Sequence, residues 1–221
     1  MSSSESPVRE NASAPERGSR RKKIIVPVCL GVAVLAGLGV WKFALSQDLA
    51  VAVPDRVCDN ALPGGTVQEL LPERGKAFEE KLYGFASPES VSSVWKCSLD
   101  GGGKHISIAY FPVLDPDGYG PEDVERDAAR PGNAPVAWGD TKGFVDGSAV
   151  SLFVSCRGSK NRDILLEITT GVGGYGDKRL KDLPGTVEQV AALAAETARF
   201  VAPRVEFCEA PSLPEAPPVI G

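Results

Sequence analysis

Histidine and methionine are almost missing from this 221-residue sequence, with one of each, and aromatic residues reach only 7%. A single histidine excludes multi-histidine zinc sites and removes most imidazole-based acid–base chemistry. Positive charge is also in deficit. The 24 Lys+Arg face 29 Asp+Glu, a formal net charge of -5, which argues against a nucleic-acid binder that works by neutralising phosphates. None of the five cysteines is spaced C-x-x-C with another, so zinc ribbons and thioredoxin-like redox motifs are unsupported. There is no G-x-S-x-G elbow for a serine nucleophile, and no internal repeat at a fixed period. What is present is a 43% apolar and 24% charged chain, which excludes wholesale disorder. Its length suits one ordinary domain plus an extra segment, and the 24 Gly and 18 Pro point to a turn-rich fold.

Long apolar runs are absent except for one. Residues 1–23 are Ser, Glu, Pro, Arg and Asn with hardly a large apolar side chain, and read as a disordered tail. The tail closes on Arg20, Arg21, Lys22 and Lys23, after which Ile24 to Trp41 runs 18 residues without a charge. As a helix this stretch spans about 27 Å, and about 33 Å if extended past Lys42 to Leu45, either of which suits a hydrocarbon core about 30 Å thick. Trp41 and Lys42 fit an interfacial anchor, the lysine snorkelling outward. The interior glycines and Pro27 are tolerated in lipid. The predicted element is a transmembrane signal anchor over 24–45. A cleaved signal peptide is the rival, because Ala50-Val51-Ala52 offers an A-x-A pattern, but the apolar region and the segment before it are both long for one. Cys29 lies in mid-span after Val26-Pro27-Val28, so there is no lipobox and no lipid anchor.

Charge sets the expected orientation. Six Lys/Arg precede the span, four of them contiguous with it, whereas the fourteen residues after Lys42 hold only Arg56. The positive-inside rule then puts the N-terminus in the cytoplasm and the C-terminal domain outside. The sequon Asn11-Ala12-Ser13 falls on the wrong side for glycosylation. From Ser46 onward there are 17 Lys/Arg and 26 Asp/Glu, a net of -9, and four cysteines: Cys58, Cys97, Cys156 and Cys208. An even number in an oxidising compartment reads as two disulfides with three possible connectivities.

Alternation places the strands. Trp95, Cys97 and Leu99 share one face of a strand, and Asp100 to Gly103 turn it into a second with Ile106, Ile108 and Tyr110 on one face. A second hairpin follows, with Val150, Leu152, Val154 and Cys156 facing Ile164, Leu166 and Ile168. The piece PVAWGD adds an edge strand, for an antiparallel sheet of four to five strands. Thr186-Val187-Glu188-Gln189 reads as a capping box for a helix with an apolar stripe of Val190, Leu193, Ala194, Ala198 and Val201, ending at Pro203. Thr66 to Glu69 repeats the pattern for a short helix stopped by Pro72, and PEDVERDAARP gives a third short helix or turn. The fold class is therefore α+β, disulfide-stapled, with 46–54 as a linker, 55–208 as the extracytoplasmic domain and the Pro-rich 209–221 as a disordered tail.

Candidate chemistry is sparse. Gly171 to Gly176 matches G-x-G-x-x-G after a strand, but too few residues precede Pro184 for the helix that a dinucleotide needs, so a loop is expected. Asp115 to Gly120 resembles the start of a calcium loop, yet Tyr119 and Arg126 stand where oxygen ligands belong. His105 shares the second face of its strand with Ser107 and Ala109 and has no nucleophile to serve. Trp95, Trp138, Tyr110 and Phe153 are expected in the core rather than on a binding face. No catalytic residue, cofactor site or metal site is assigned.

The order of a Cys opening a short helix (VCDNALPGGTVQELLP), a W-x-C strand (VWKCSL), a strand ending in Cys (SLFVSC) and an Ala-rich helix running to a last Cys (AALAAETARFVAPRVEFC) resembles small exported or membrane-anchored proteins of unknown function from high-GC actinobacteria. The resemblance covers about Asp55 to Ala210 and implies a location and a disulfide pattern rather than an activity; the lipobox of its lipoprotein members is missing. Together with the strand reading it favours Cys58 with Cys97 and Cys156 with Cys208, each loop closure contributing roughly 3 to 4 kcal/mol. The rival joins Cys97 to Cys156 and Cys58 to Cys208. The expected role is a non-enzymatic binding or interaction module at the cell envelope, its partners the lipid bilayer through the anchor and an envelope protein or ligand, with no nucleic acid. The alternative is an extracytoplasmic hydrolase using a carboxylate pair.

Overall fold

A computed structural model describes residues 49–86, 95–113, 118–157, 163–174, 176, 178–183, 185–205, 208 and 213–221. The expected tail 1–23 with Arg20, Arg21, Lys22 and Lys23, the anchor 24–45, Asp115 to Asp117 of the calcium-like loop, and 209–212 lie outside the described residues. The chain divides into two units, Met1–Gln47 and Asp48–Gly221. Among the described residues no helix is long and apolar enough to cross a membrane.

The domain is α+β, built on one large antiparallel sheet. Its strands are β5 (Glu79–Tyr83), β6 (Trp95–Gly101), β7 (Lys104–Val113), β8 (Ala134–Trp138), β9 (Thr141–Asp146), β10 (Ala149–Arg157), β11 (Asp163–Gly173) and β12 (Val219–Ile220), in the order β12-β8-β9-β10-β11-β7-β6-β5. Two small ribbons precede it, β1 (Leu49–Ala50) with β4 (Arg74–Gly75) and β2 (Arg56–Val57) with β3 (Leu62–Pro63). The two expected hairpins are present as β6–β7, with Cys97 opposite Ile108, and β10–β11, with Leu152 opposite Ile168.

Among the described residues the sheet has eight strands, where the sequence suggested four to five. β5 reads EEKLY and is exposed along most of its length, so it shows no apolar alternation. β9 carries Gly143 at its centre, which blanks one inward position. β12 comes from the Pro-rich tail, so residues 213–221 of the segment expected to be disordered lie against the sheet instead. The piece PVAWGD becomes β8, with β12 outside it at the sheet edge.

Helix α3 (Thr186–Val201) covers the inner face over β10 and β11, burying Val190, Leu193, Ala194, Ala198 and Val201 as their spacing predicts. Its cap sits one residue earlier than expected. Gly185, at φ 82°, is the N-cap and its N–H donates to the Glu188 carboxylate, because a glycine takes that backbone conformation without a Cβ penalty. Helix α1 (Gly64–Leu70) also starts early, leaving Thr66 inside the helix, where its hydroxyl donates to Glu196 of α3 at 3.2 Å. Helix α2 (Pro121–Ala128) opens on proline and lies over a small second cluster of Val124, Phe153 and Leu165 on the outer face. The main core joins the inner face to α1 and α3, with Trp95, Tyr110 and Trp138 all buried in it.

Candidate functional site

The cysteines come together in the favoured pairs. Cys58–Cys97 joins the segment after β2 to β6, with Cα atoms 5.6 Å apart, and Cys156–Cys208 joins β10 to the chain beyond α3, at 4.4 Å. Both are buried. Beside the first, Cys58, Asp59 and Asn60 are all left-handed, with φ of 56°, 57° and 61°. Arg56 fastens this turn by donating to the carbonyls of Asn60 (2.7 Å) and Ala61 (3.0 Å).

Three polar groupings bear on chemistry. At the β6–β7 turn, His105 Nδ1 lies 2.9 Å from Asp100 Oδ1 at the edge of a 320 Å³ cleft lined also by Lys76, Glu79, Lys81 and Lys104. The pair is half-exposed and mixed in charge, suited to lodging a polar group at the surface. On the outer face, Ser151 Oγ is 3.0 Å from Glu167 Oε1 and 3.2 Å from Thr169 Oγ1, a carboxylate tied up by two hydroxyls. At the α1–α3 seam, burial pushes the Glu196 carboxyl above its ordinary range; the Thr66 hydroxyl and Arg199 oppose this, and the like charge of Glu69 reinforces it. Gln189 Nε2 in turn donates to Glu69 at 3.2 Å.

A fourth grouping is built on Trp138 and Arg199. Trp138 ends β8, and its indole N–H donates to the Ala216 carbonyl at 2.6 Å. Arg199, in the last turn of α3, places its guanidinium 5.0 Å from the Trp138 ring centroid. It donates to the carbonyls of Pro214 (2.9 Å) and Glu215 (2.8 Å). The tail Leu213–Gly221 is thereby strapped to the domain before it pairs with β8, Val219 opposite Ala137 and Ile220 opposite Val136. Next to the strap, Val124, Ala128, Pro135, Ala137 and Val219 line a 250 Å³ cavity that is almost wholly apolar.

The sequence motifs fall into place around these sites. Gly171 and Gly173 of the G-x-G-x-x-G match lie inside β11, opposite Ser107 and His105, and among the described residues no helix opens there; the next described element is a 3₁₀ turn, Leu180–Asp182. Trp95 stacks on Tyr110 with centroids 5.1 Å apart, and the Tyr110 hydroxyl donates to the Phe85 carbonyl, so both are core residues. Phe153 lies under α2, 5.9 Å from Tyr119. Arg199 was not singled out in the sequence, since an arginine that binds main-chain carbonyls 15 to 17 residues later leaves no periodic mark. A tryptophan on a Pro-preceded strand together with a Pro-rich terminus was the available signal. Comparison with protein-family models, with curated proteins and with solved structures finds no match to this chain.

Proposed function

We propose that the chain is a single-pass membrane protein, N-terminus in the cytoplasm, whose disulfide-stapled domain serves as a non-enzymatic binding module at the cell envelope. The observation that carries the anchor is the uncharged run Ile24 to Trp41 directly behind Arg20, Arg21, Lys22 and Lys23. Two buried disulfides in the unit that follows fit an oxidising compartment. Binding is supported by the sheet edges. β5 leaves Leu82 and Tyr83 exposed at one edge, and Val219 is exposed at the other.

Crosslinking in intact cells, followed by recovery of whatever is joined to the domain, tests the binding reading; a specific envelope partner is expected. Recovery of none, alongside a successful substrate screen, would overturn it. A C-terminal reporter active only in the cytoplasm would overturn the orientation. The second reading, a two-carboxylate hydrolase, draws on the raised Glu196 carboxyl beside Glu69. Hydrolysis abolished by both Glu196→Gln and Glu69→Gln would favour it.

A further inference from the structure

The tail is held as a receptor holds a peptide. Arg199 donates to the carbonyls of Pro214 and Glu215 and reaches Ala216 at 3.4 Å, while the Trp138 indole N–H donates to the same Ala216 carbonyl. Three consecutive main-chain carbonyls are thus read by side chains of two other elements, with Glu215 and Ala216 themselves exposed. A Cβ at Gly139 would stand 2.7 Å from Pro214 Cγ, and Pro218 is buried. Ile220 then packs against the core, β12 adds a strand to β8, and the Gly221 N–H donates to the Pro135 carbonyl at 3.0 Å. Capture of main-chain carbonyls by side-chain donors and strand addition at a sheet edge act here in series, the second being a general mode of peptide recognition.

Two observations bear on how easily this occupant is released. The strand is only two residues long, and Glu215, Ala216, Pro217 and Val219 are exposed, so opening the strap uncovers Pro218, Ile220 and the Trp138 indole but leaves the other strand pairs of the sheet intact. Val219 is also 69% exposed while bordering the apolar cavity, which leaves apolar surface uncovered at the seam. We propose that the Trp138–Arg199 cleft and the β8 edge form a binding site for a proline-containing extended segment. Its occupant in trans is the tail of a second copy of this chain, exchanged reciprocally to form a twofold dimer. Residues 213–221 are the sequence seen to fit the cleft, and exchanging an identical element reuses every contact. The inference deepens the binding-module reading and does not depend on the anchor.

The test is complementation between two full-length variants in detergent micelles. Arg199→Ala damages the cleft and spares the tail; Pro214→Gly with Ile220→Asp damages the tail and spares the cleft. Each alone is expected to be monomeric. Mixed, they should form a 1:1 complex of twice the monomer mass, recovered through a tag on either and dissolved by an excess of synthetic peptide with the sequence of residues 213–221. All three substitutions in one chain should leave it unable to associate. Absence of the complex, with both disulfides and native circular dichroism retained in each variant, overturns the proposal. So does a tail-damaged variant that binds the peptide but not the other variant. Should either variant misfold, Arg199→Lys and Pro214→Ala repeat the test with less disturbance. Failed complementation together with a specific partner crosslinked in cells would remove tail exchange and leave the binding-module reading standing.

Discussion

Cys58, Asp59 and Asn60 form a single left-handed turn of L-residues, with φ near 60° at all three. Each such residue costs about 1–2 kcal/mol relative to the right-handed form. The turn persists because Arg56 fixes its exit, the Asp59 N–H donates to Glu80 at 3.1 Å, and Cys58 is bonded to Cys97. Asp59 is exposed, so Asp59→Gly should relieve strain with little lost contact and stabilise the domain by up to about 1 kcal/mol. A lower urea midpoint in this variant would contradict that account. Glu196 makes a pH-dependent prediction. Its folded pKa is raised, so the native state binds more protons than the unfolded chain between the two pKa values, and stability falls as pH rises through that window. Glu196→Gln removes the penalty and keeps an acceptor for Thr66. It should stabilise the domain at pH 7 by less than about 1 kcal/mol, since the site is partly exposed, and give no gain at pH 4. An equal gain at both values would point to a cause other than titration. At this scale the sequence revealed the four cysteines and, by alternation, the buried faces that carry Cys97 and Cys156; their pairing was implied by the resemblance together with that strand reading, and Cys58–Cys97 and Cys156–Cys208 are the pairs found. It did not reveal Arg199, because a side chain that recognises carbonyls has no preferred partner residue type.

Elements were legible where burial imposes a period. The β6–β7 and β10–β11 hairpins and α3 each bury a continuous apolar stripe, and each lies where its pattern predicts. Elements that bury little or accommodate a close approach were silent, as the exposed β5, the glycine-interrupted β9 and the two-residue β12 illustrate. Gly143 shows what such a silence conceals. A Cβ there would fall 2.0 Å from the Ser151 carbonyl oxygen of the neighbouring β10, so β9 approaches at a distance that only glycine permits. Gly143→Ala forces backbone apart in mid-sheet, and the expected loss is about 3 kcal/mol, the upper end of overpacking costs. Thermal unfolding followed by circular dichroism measures it. A melting temperature unchanged within a degree would mean that β9 can slide, and the register of β9 against β10 would need revision. The Pro-rich tail was misread for a related reason. Proline cannot donate to a ladder, so the segment looks unable to pair, yet its carbonyls are free to accept from Arg199 and Trp138.

For the molecule as a whole, composition averages conceal a division. The modest -5 of the chain combines a basic N-terminal stretch with a -9 remainder beyond Ser46, and four of five cysteines lie in that acidic remainder. Under the proposed topology, orientation and stability are coupled through this division. The disulfides close separations of 39 and 52 residues, for which chain-entropy reasoning gives about 4 kcal/mol each, or about 8 together. That is comparable to the whole stability of a typical domain, about 5–15 kcal/mol. A domain left on the reducing side of a membrane would lose both bonds and most of its margin. Changing Arg20, Arg21, Lys22 and Lys23 to Gln and adding lysines after Lys42 removes the charge bias that the proposed orientation rests on. The expected result is that part of the population carries free thiols at Cys58, Cys97, Cys156 and Cys208, detectable by maleimide labelling without reductant, and that this fraction is degraded faster than the unaltered protein. Four fully oxidised cysteines and unaltered turnover in the charge-swapped chain would mean that these four basic residues do not decide which side the domain occupies. The anchor reading would then have to be rebuilt on Ile24 to Trp41 alone.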